Sequence, residues 1–417
     1  MKIYGQDFTD VLRRLPWQYQ IVVAAGSLFI VITVIHIAHL MMTLKLKPEG
    51  PSIFPAKIAS QQKMTGSLDP SLAYDTVNKR IFMAYTSQED TKNGPMMSTR
   101  LAMNKVIGAA ACKEWLPVTG ADAGFEAKKD TILAPDGQTV LRSGVWHLET
   151  PALVYDPDDH GHEWKLYAYK YFWPDNPKDS MSVIKHYGVI VYKSATDPFK
   201  EWTPEQWLFS PAENYPPAPY GSMVLLQLNR LDASLKDVTA YTRPSAVYKD
   251  GALVMTFSAF TDGTAPDRIV MISSADHGNS WRYVGTLLQK SDLRGVNPAD
   301  KTPYTQIAGA TLIEQEGKVY LAAVLGDEKQ FGQGTFIFGF DDFANGVLHR
   351  DPATGVPAVL HQLPLPKPSL SLMGGGAAAY SDGCNLGLMQ TEEDGVSPNF
   401  KIYQTKVKPV ENVTPNK

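Results

Sequence analysis

With 417 residues, 44% of them hydrophobic and 20% charged, the chain has a folded protein's composition and enough material for one large all-β domain or two ordinary ones. A formal net charge of −4 argues against nucleic acid as the main partner, because phosphate binding needs a basic surface. Gly 32, Pro 30, Tyr 19 and Trp 8 point to many turns and aromatic-rich strands.

The first predicted element is apolar. Ile21 to His39 runs 19 residues without a formally charged side chain, close to the ~20 that a helix needs to cross the hydrocarbon core. The reading is a short segment at 1–19, a transmembrane signal-anchor at 20–42 with Trp17 and Tyr19 at its interface, and a linker at 43–61. No small-x-small cleavage site follows, which disfavours a cleaved signal peptide. Lys2, Arg13 and Arg14 precede the span and Lys45 and Lys47 follow it, so the rest of the chain is expected on the extracytoplasmic (periplasmic or extracellular) side. His36 and His39 share a face of this helix and are read as hydrated interface residues, since no second ligand pair exists.

Beyond residue 62 a unit recurs, consisting of a small-residue or proline start, a strand, a polar turn and a second strand. Its copies begin near Asp69 ("LDPSLAYDTVNKRIFMAYTS"), Glu149 ("ETPALVYDPDDHGHEWKLYAYKYFW"), Arg243 ("RPSAVYKDGALVMTFSAF"), Ala308 and Gly375. A third strand and a tryptophan tend to follow, at Trp115, Trp202 and Trp281. Repeats of this size predict the blades of a β-propeller, five by count, over 62–408 with a tail at 409–417. Insertions are expected at 117–146 and 208–240. The fold class is therefore all-β, a five-bladed β-propeller preceded by one N-terminal transmembrane helix.

These strand starts resemble those of the five-bladed propellers of the glycoside hydrolase family 43 and 32 group. Ser274, Asp276, Gly278 and Trp281 in "SSADHGNSW" resemble the Asp-box of sialidases, more distant propeller relatives. The Asp-box turn is read as a folding device on the face opposite the strand starts.

In a propeller, inner-strand starts and second-strand ends share one face, because the two strands are antiparallel. That face gathers Asp69, Glu149, Arg243 and Gln306 at strand starts, and Trp173, Asp262 and Asp327 in the loops. Glycoside hydrolysis needs two carboxyl groups, one ionised and one able to donate a proton. The resemblance implies Asp69 as base or nucleophile and Glu149 as the second blade's acid. It also implies a general-acid Glu in the third blade, where this chain has Arg243. Either Glu149 is the acid, or Asp262 or Asp327 replaces it, or the site does not hydrolyse. An arginine there suits a carboxylate or sulfate, and so a glycan carrying acidic groups. Trp173 either stacks on a sugar ring or packs.

No cofactor or metal is expected. His160 and His162 lie in the turn "DPDDHGH" on the opposite face, and Cys112 and Cys384 lack ligand spacing, their pairing left open. A sialidase would need an arginine triad, and the spacing of Arg100, Arg142 and Arg243 lends that no support. Two functions follow from the residues: a membrane-anchored glycoside hydrolase-like enzyme acting on a glycan through Asp69 and Glu149, or a non-catalytic propeller binding a glycan or protein partner in the cell envelope.

Overall fold

The computed structural model describes residues 2–3, 6–7, 53–59, 64–92, 94–105, 114–120, 123–134, 136–176, 180–213, 215–217, 219–261, 265–296, 304–326, 334–363, 389–393 and 400–405. The chain divides into residues 1–52 and 53–417. In the first unit β1 (Lys2–Ile3) pairs antiparallel with β2 (Gln6–Asp7). The span expected at 20–42 lies outside the described residues, and no helix among the described residues is long and apolar enough to cross a membrane.

The second unit is a propeller. It opens with β3 (Ile53–Pro55) and β4 (Lys57–Ile58). The first blade meanders through β5 (Gly66–Asp75), β6 (Arg80–Thr91), β7 (Gly94–Lys105) and β8 (Glu114–Pro117), with β4 parallel to β8. In the second, β9 (Lys128–Leu133) pairs with the first half of β10 (Val140–Tyr155). Then come β11 (Trp164–Pro174), the short helix α1 (Ser180–His186), β12 (Val189–Ala195), β13 (Gln206–Ser210) and β14 (Val224–Gln227). The third blade has β15 (Ala240–Lys249), β16 (Ala252–Phe260), β17 (Arg268–Ser274) and β18 (Arg282–Gln289). The fourth has β19 (Gln306–Gln315), β20 (Lys318–Gly326), β21 (Thr335–Asp342), β22 (Val347–Leu348) and β23 (Val359–Leu363). A further sheet joins β24 (Met389–Glu393) and β25 (Phe400–Thr405) to β3, tying the end of the unit to its beginning.

Local sequence explains these elements. "RIVMISS" is buried along almost its whole length, because a middle strand of a blade is covered on both faces by its neighbours. Two-residue turns at Asp250-Gly251 and Glu316-Gly317 carry positive φ at both positions, the type I′ geometry that matches strand twist. Phe257, with no exposed surface, packs edge-on against Phe209 and Tyr241 between the second and third blades, and its truncation to Ala would cost about 3–5 kcal/mol. Adjacent inner strands are stitched by side chains. Ser71 Oγ accepts from Leu153 N at 3.0 Å, and Ser245 Oγ from Leu312 N at 2.9 Å.

The structure adds detail to two sequence expectations. The first blade's third strand is β7, at 94–105, and Trp115 sits within the fourth strand β8 rather than in the turn after the third. The insertions at 117–146 and 208–240 are partly strand: β9 and the extended start of β10 lie in one, β14 and the end of β13 in the other.

The turn at 273–281 joins β17 to β18. Ser274 Oγ accepts from Gly278 N at 2.7 Å, Asp276 Oδ1 accepts from Ser280 N at 2.8 Å, and Trp281 Nε1 donates to Gly278 O at 3.0 Å. Gly278 has φ +99, a conformation open to glycine. Hydrogen bonds from Ser280 and Ser274 hold the Asp276 carboxyl down at about 2, so it stays ionised and fixes the turn.

Candidate functional site

The site is built on a defect shared by the inner strands. β5, β10, β15 and β19 each carry a β-bulge, at Leu68/Ser71, Glu149/Ala152, Thr242/Ser245 and Ile307/Gly309, near the start of β5, β15 and β19 and past the β9-paired stretch of β10. In the first three a non-glycine residue with positive φ precedes a proline: Asp69 (φ 51), Thr150 (φ 49) and Arg243 (φ 51). Left-handed backbone costs roughly 1–2 kcal/mol per such residue, and bulges re-aim side chains beside functional sites. Here the bulges present Asp69, Thr150 and Arg243 to a common axial cavity, where Gly309 and Ala310 complete the fourth side.

This register corrects the sequence reading. Thr150, not Glu149, is the second blade's equivalent of Asp69 and Arg243, and Glu149 precedes the bulge by one residue. The signal lay in the sequence, since the three equivalents are the residues immediately before Pro70, Pro151 and Pro244.

Asp69 is 4% exposed, and both its oxygens are engaged. Arg243 Nη1 donates to Oδ1 at 3.2 Å, and the Thr86 hydroxyl donates to Oδ2 at 3.3 Å while accepting from Thr150 N at 2.9 Å. Burial pushes the Asp69 carboxyl above its ordinary range, and the charge of Arg243 opposes that. The Arg243 stem crosses the bare Cα of Gly309, where a Cβ would stand 2.7 Å from Arg243 Cδ.

Glu149 is half-buried and accepts a hydrogen bond from the Tyr171 hydroxyl. Burial raises its carboxyl to about 7; the Tyr171 bond opposes this, the Asp69 charge adds to it, and Arg243 counters. Burial likewise raises the Tyr171 phenol well above its usual value, so it remains a neutral donor. Behind this pair lies a residue that sequence reasoning passed over. His147 is 3% exposed, stacks on Tyr171 at 5.2 Å and leans against Trp173 at 6.1 Å. Neither of its ring nitrogens has a hydrogen-bond partner, and burial lowers its pKa to about 4. A single histidine in an apolar strand carries no sequence signal of this.

The other expected site residues divide. Trp173 is 40% exposed at the end of β11, on the expected face. Gln306 opens β19 opposite Gly326, its Oε1 without a partner. Asp262 and Asp327 lie outside the described residues. Arg100 pairs with Glu126 in a separate cleft beside the first blade, and Arg142 lies on the β9-paired stretch of β10, so neither lines the axial cavity with Arg243. Among the described residues no group of three His, Cys, Asp or Glu could hold a metal ion.

Between Asp69, Thr150 and Arg243 the axial space narrows to about 20 Å³, room for one small group. Toward the opposite face it widens to about 530 Å³. Fold and site together define a β-propeller with a buried, charged constriction on its axis. No family model and no curated protein matches the chain. Among solved structures it is similar to the Bombyx mori GH32 beta-fructofuranosidase BmSUC1, with 11% identity and a TM-score of 0.47, over 85% of this chain and 61% of that one. It is also similar to Zg3597, a family 117 glycoside hydrolase of Zobellia galactanivorans (12%, TM-score 0.45, 85% and 90%). A third likeness is to the catalytic domain of a Coprinopsis cinerea GH62 alpha-L-arabinofuranosidase (12%, TM-score 0.43, 87% and 97%). The chain thus spans 61% of the silkworm structure's length. With these scores below 0.5, the propeller assignment stands on the sheet topology itself.

Proposed function

We propose that this chain is a glycoside hydrolase-like propeller that takes a carbohydrate at the strand-start mouth of its axis. Glu149 is the proton-donating carboxyl, and Asp69 is the second carboxyl, ion-paired to Arg243, whose charge opposes the upward pull of burial. The observation that carries this reading is the Glu149 carboxyl raised to about 7 beside an aspartate whose charge an arginine matches. Two neighbouring carboxyl groups in different proton states are what glycoside hydrolysis requires. Trp173 offers an exposed ring for a sugar face. We also propose five blades, with β24, β25 and β3 belonging to the fifth; the start of the copy near Gly375 lies outside the described residues. The proposal keeps a membrane anchor at 20–42, with the propeller outside the cytoplasm.

A second reading rests on a specific observation. Asp69 is buried with both oxygens engaged, and the cavity at the constriction admits one small group, not a sugar ring. That favours a non-catalytic propeller that binds a glycan or a protein partner. The deciding experiment is a hydrolysis and binding screen of the full chain against neutral and acidic oligosaccharides, beside Asp69→Asn and Glu149→Gln. The catalytic reading expects each substitution to lower turnover by about 10²-fold or more. Turnover indifferent to both substitutions would remove it, and binding without turnover would leave the second reading.

A further inference from the structure

The wider end of the axial space lies at the opposite face, where the inner strands end. Three blades place a tyrosine at the same step there: Tyr74, Tyr155 and Tyr248 each stand three residues beyond the first residue after the bulge proline (Ser71, Ala152 and Ser245). In the fourth blade Glu314 takes that step. All four line the cavity of about 530 Å³, and all are half-buried.

Packing alone does not call for these hydroxyls. Tyr155 lies against Trp164 at 4.9 Å and Tyr248 against His277 at 6.3 Å, contacts that a phenylalanine would also make. The Tyr248 hydroxyl donates to Asp158. Among the described residues the Tyr74 and Tyr155 hydroxyls have no hydrogen-bond partner. The rest of the wall alternates hydroxyl and apolar groups, with Thr76 and Thr311 among Leu72, Leu153 and Val247. Glu314 is the one charged side chain lining the cavity among the described residues, and Lys249 pairs with it at 2.9 Å.

From this we infer a second ligand site at the strand-end mouth, which takes a neutral polyhydroxylated molecule of one or two sugar rings. The volume falls within the range of small-ligand pockets, whereas the constriction at Asp69 holds only one small group. An amphipathic wall suits a sugar, which has an apolar ring face and a hydroxylated edge. The neutralised Glu314 gives no advantage to a charged ligand. The two cavities share Ser71, Ser245 and Thr311, yet the site uses none of the side chains assigned to the strand-start mouth.

The test is ligand-detected NMR and calorimetry on the full chain, with cellobiose and sucrose as neutral probes and glucuronic acid and glucosamine as charged ones. The variants are the double substitution Tyr74→Phe with Tyr155→Phe, Val247→Phe to fill the cavity, and Asp69→Asn with Glu149→Gln at the other mouth. The expected result is binding of a neutral disaccharide, weakened at least tenfold by the tyrosine substitutions and by Val247→Phe, and unchanged by the pair at the other mouth. Equal or tighter binding of the charged sugars overturns the inference, as does absence of disaccharide binding. Binding lost with Asp69→Asn and Glu149→Gln but kept in the tyrosine variant also overturns it, while leaving the proposed function standing. The tyrosine variant removes only two oxygens, so the test holds if Val247→Phe fails to fold.

Discussion

Arg243 of the third blade donates from Nη1 to Asp69 Oδ1 of the first blade at 3.2 Å, closing the axial space at its strand-start end. The two residues are 174 positions apart, and each sits on a left-handed bulge at the same step of its inner strand.

Replacing the arginine strands a buried carboxylate. Arg243→Met is expected to lower unfolding free energy at pH 7 by about 1–3 kcal/mol, less than for a fully buried pair because the Arg243 side chain is 33% exposed. Asp69 already has a raised pKa in the folded state, and losing the arginine raises it further. A raised carboxyl contributes stability below its unfolded pKa and loses it as pH rises. The penalty should therefore shrink toward pH 4, which urea melts at pH 4 and 7 would check.

Glu149 gives a pH signature of its own. Its pKa of about 7 in the folded protein lies above the ordinary 4.5, so the wild type should lose stability as pH rises between those values. Glu149→Gln removes that loss and can still accept from Tyr171. The variant should match the wild type near pH 4 and exceed it by up to about 3 kcal/mol at pH 8. Chemical denaturation across this range measures the difference.

Gly309→Ala should act through Arg243. The new methyl would meet the Arg243 stem near its Cδ, not at a freely moving tip, and so push the guanidinium off Asp69. In a double-mutant cycle with Arg243→Met the two costs should be less than additive, because both break one ion pair.

His147→Phe should stabilise the protein. The substitution keeps a ring against Tyr171 and removes two buried nitrogens that have no partner. A gain of about 1 kcal/mol is expected at neutral pH, read as a rise in Tm of about 2–4 °C. The gain should grow below pH 6.5: the unfolded chain takes up a proton there, while the folded ring, at about 4, does not.

Lys165 tests the fold away from the site. Its ammonium is fully buried, ion-paired to Asp159 and 3.8 Å from Asp156. Lys165→Met would leave Asp159 without its ion pair and the buried Asp156 with only His277 and the Asp158 N–H as partners, costing roughly 3 kcal/mol by equilibrium unfolding.

The strands and turns were legible because their causes are local. "KDGA" can hardly be other than a tight hairpin, and "RIVMISS" reads as a buried strand from its unbroken apolar run. Asp69 and Arg243 were legible as site candidates for the same reason, since each precedes a proline at a strand start. Glu149 stands one step out of that register: its carboxylate marks it for chemistry, while the proline pattern marks Thr150. His147 was invisible, because its lack of partners is a property of the strands packed around it.

An all-β propeller, the turns that space its strands, and the face on which the strand starts gather are all written in the chain. These follow from periodicity, turn chemistry and the antiparallel path of each hairpin. That Arg243 grips Asp69, that Thr150 occupies the second blade's bulge, and that the axial space is narrow at one end and wide at the other become visible in the folded molecule alone. Those outcomes depend on which side chains meet across the axis, and residues 69, 150, 243 and 309 come together only once the blades have closed around it.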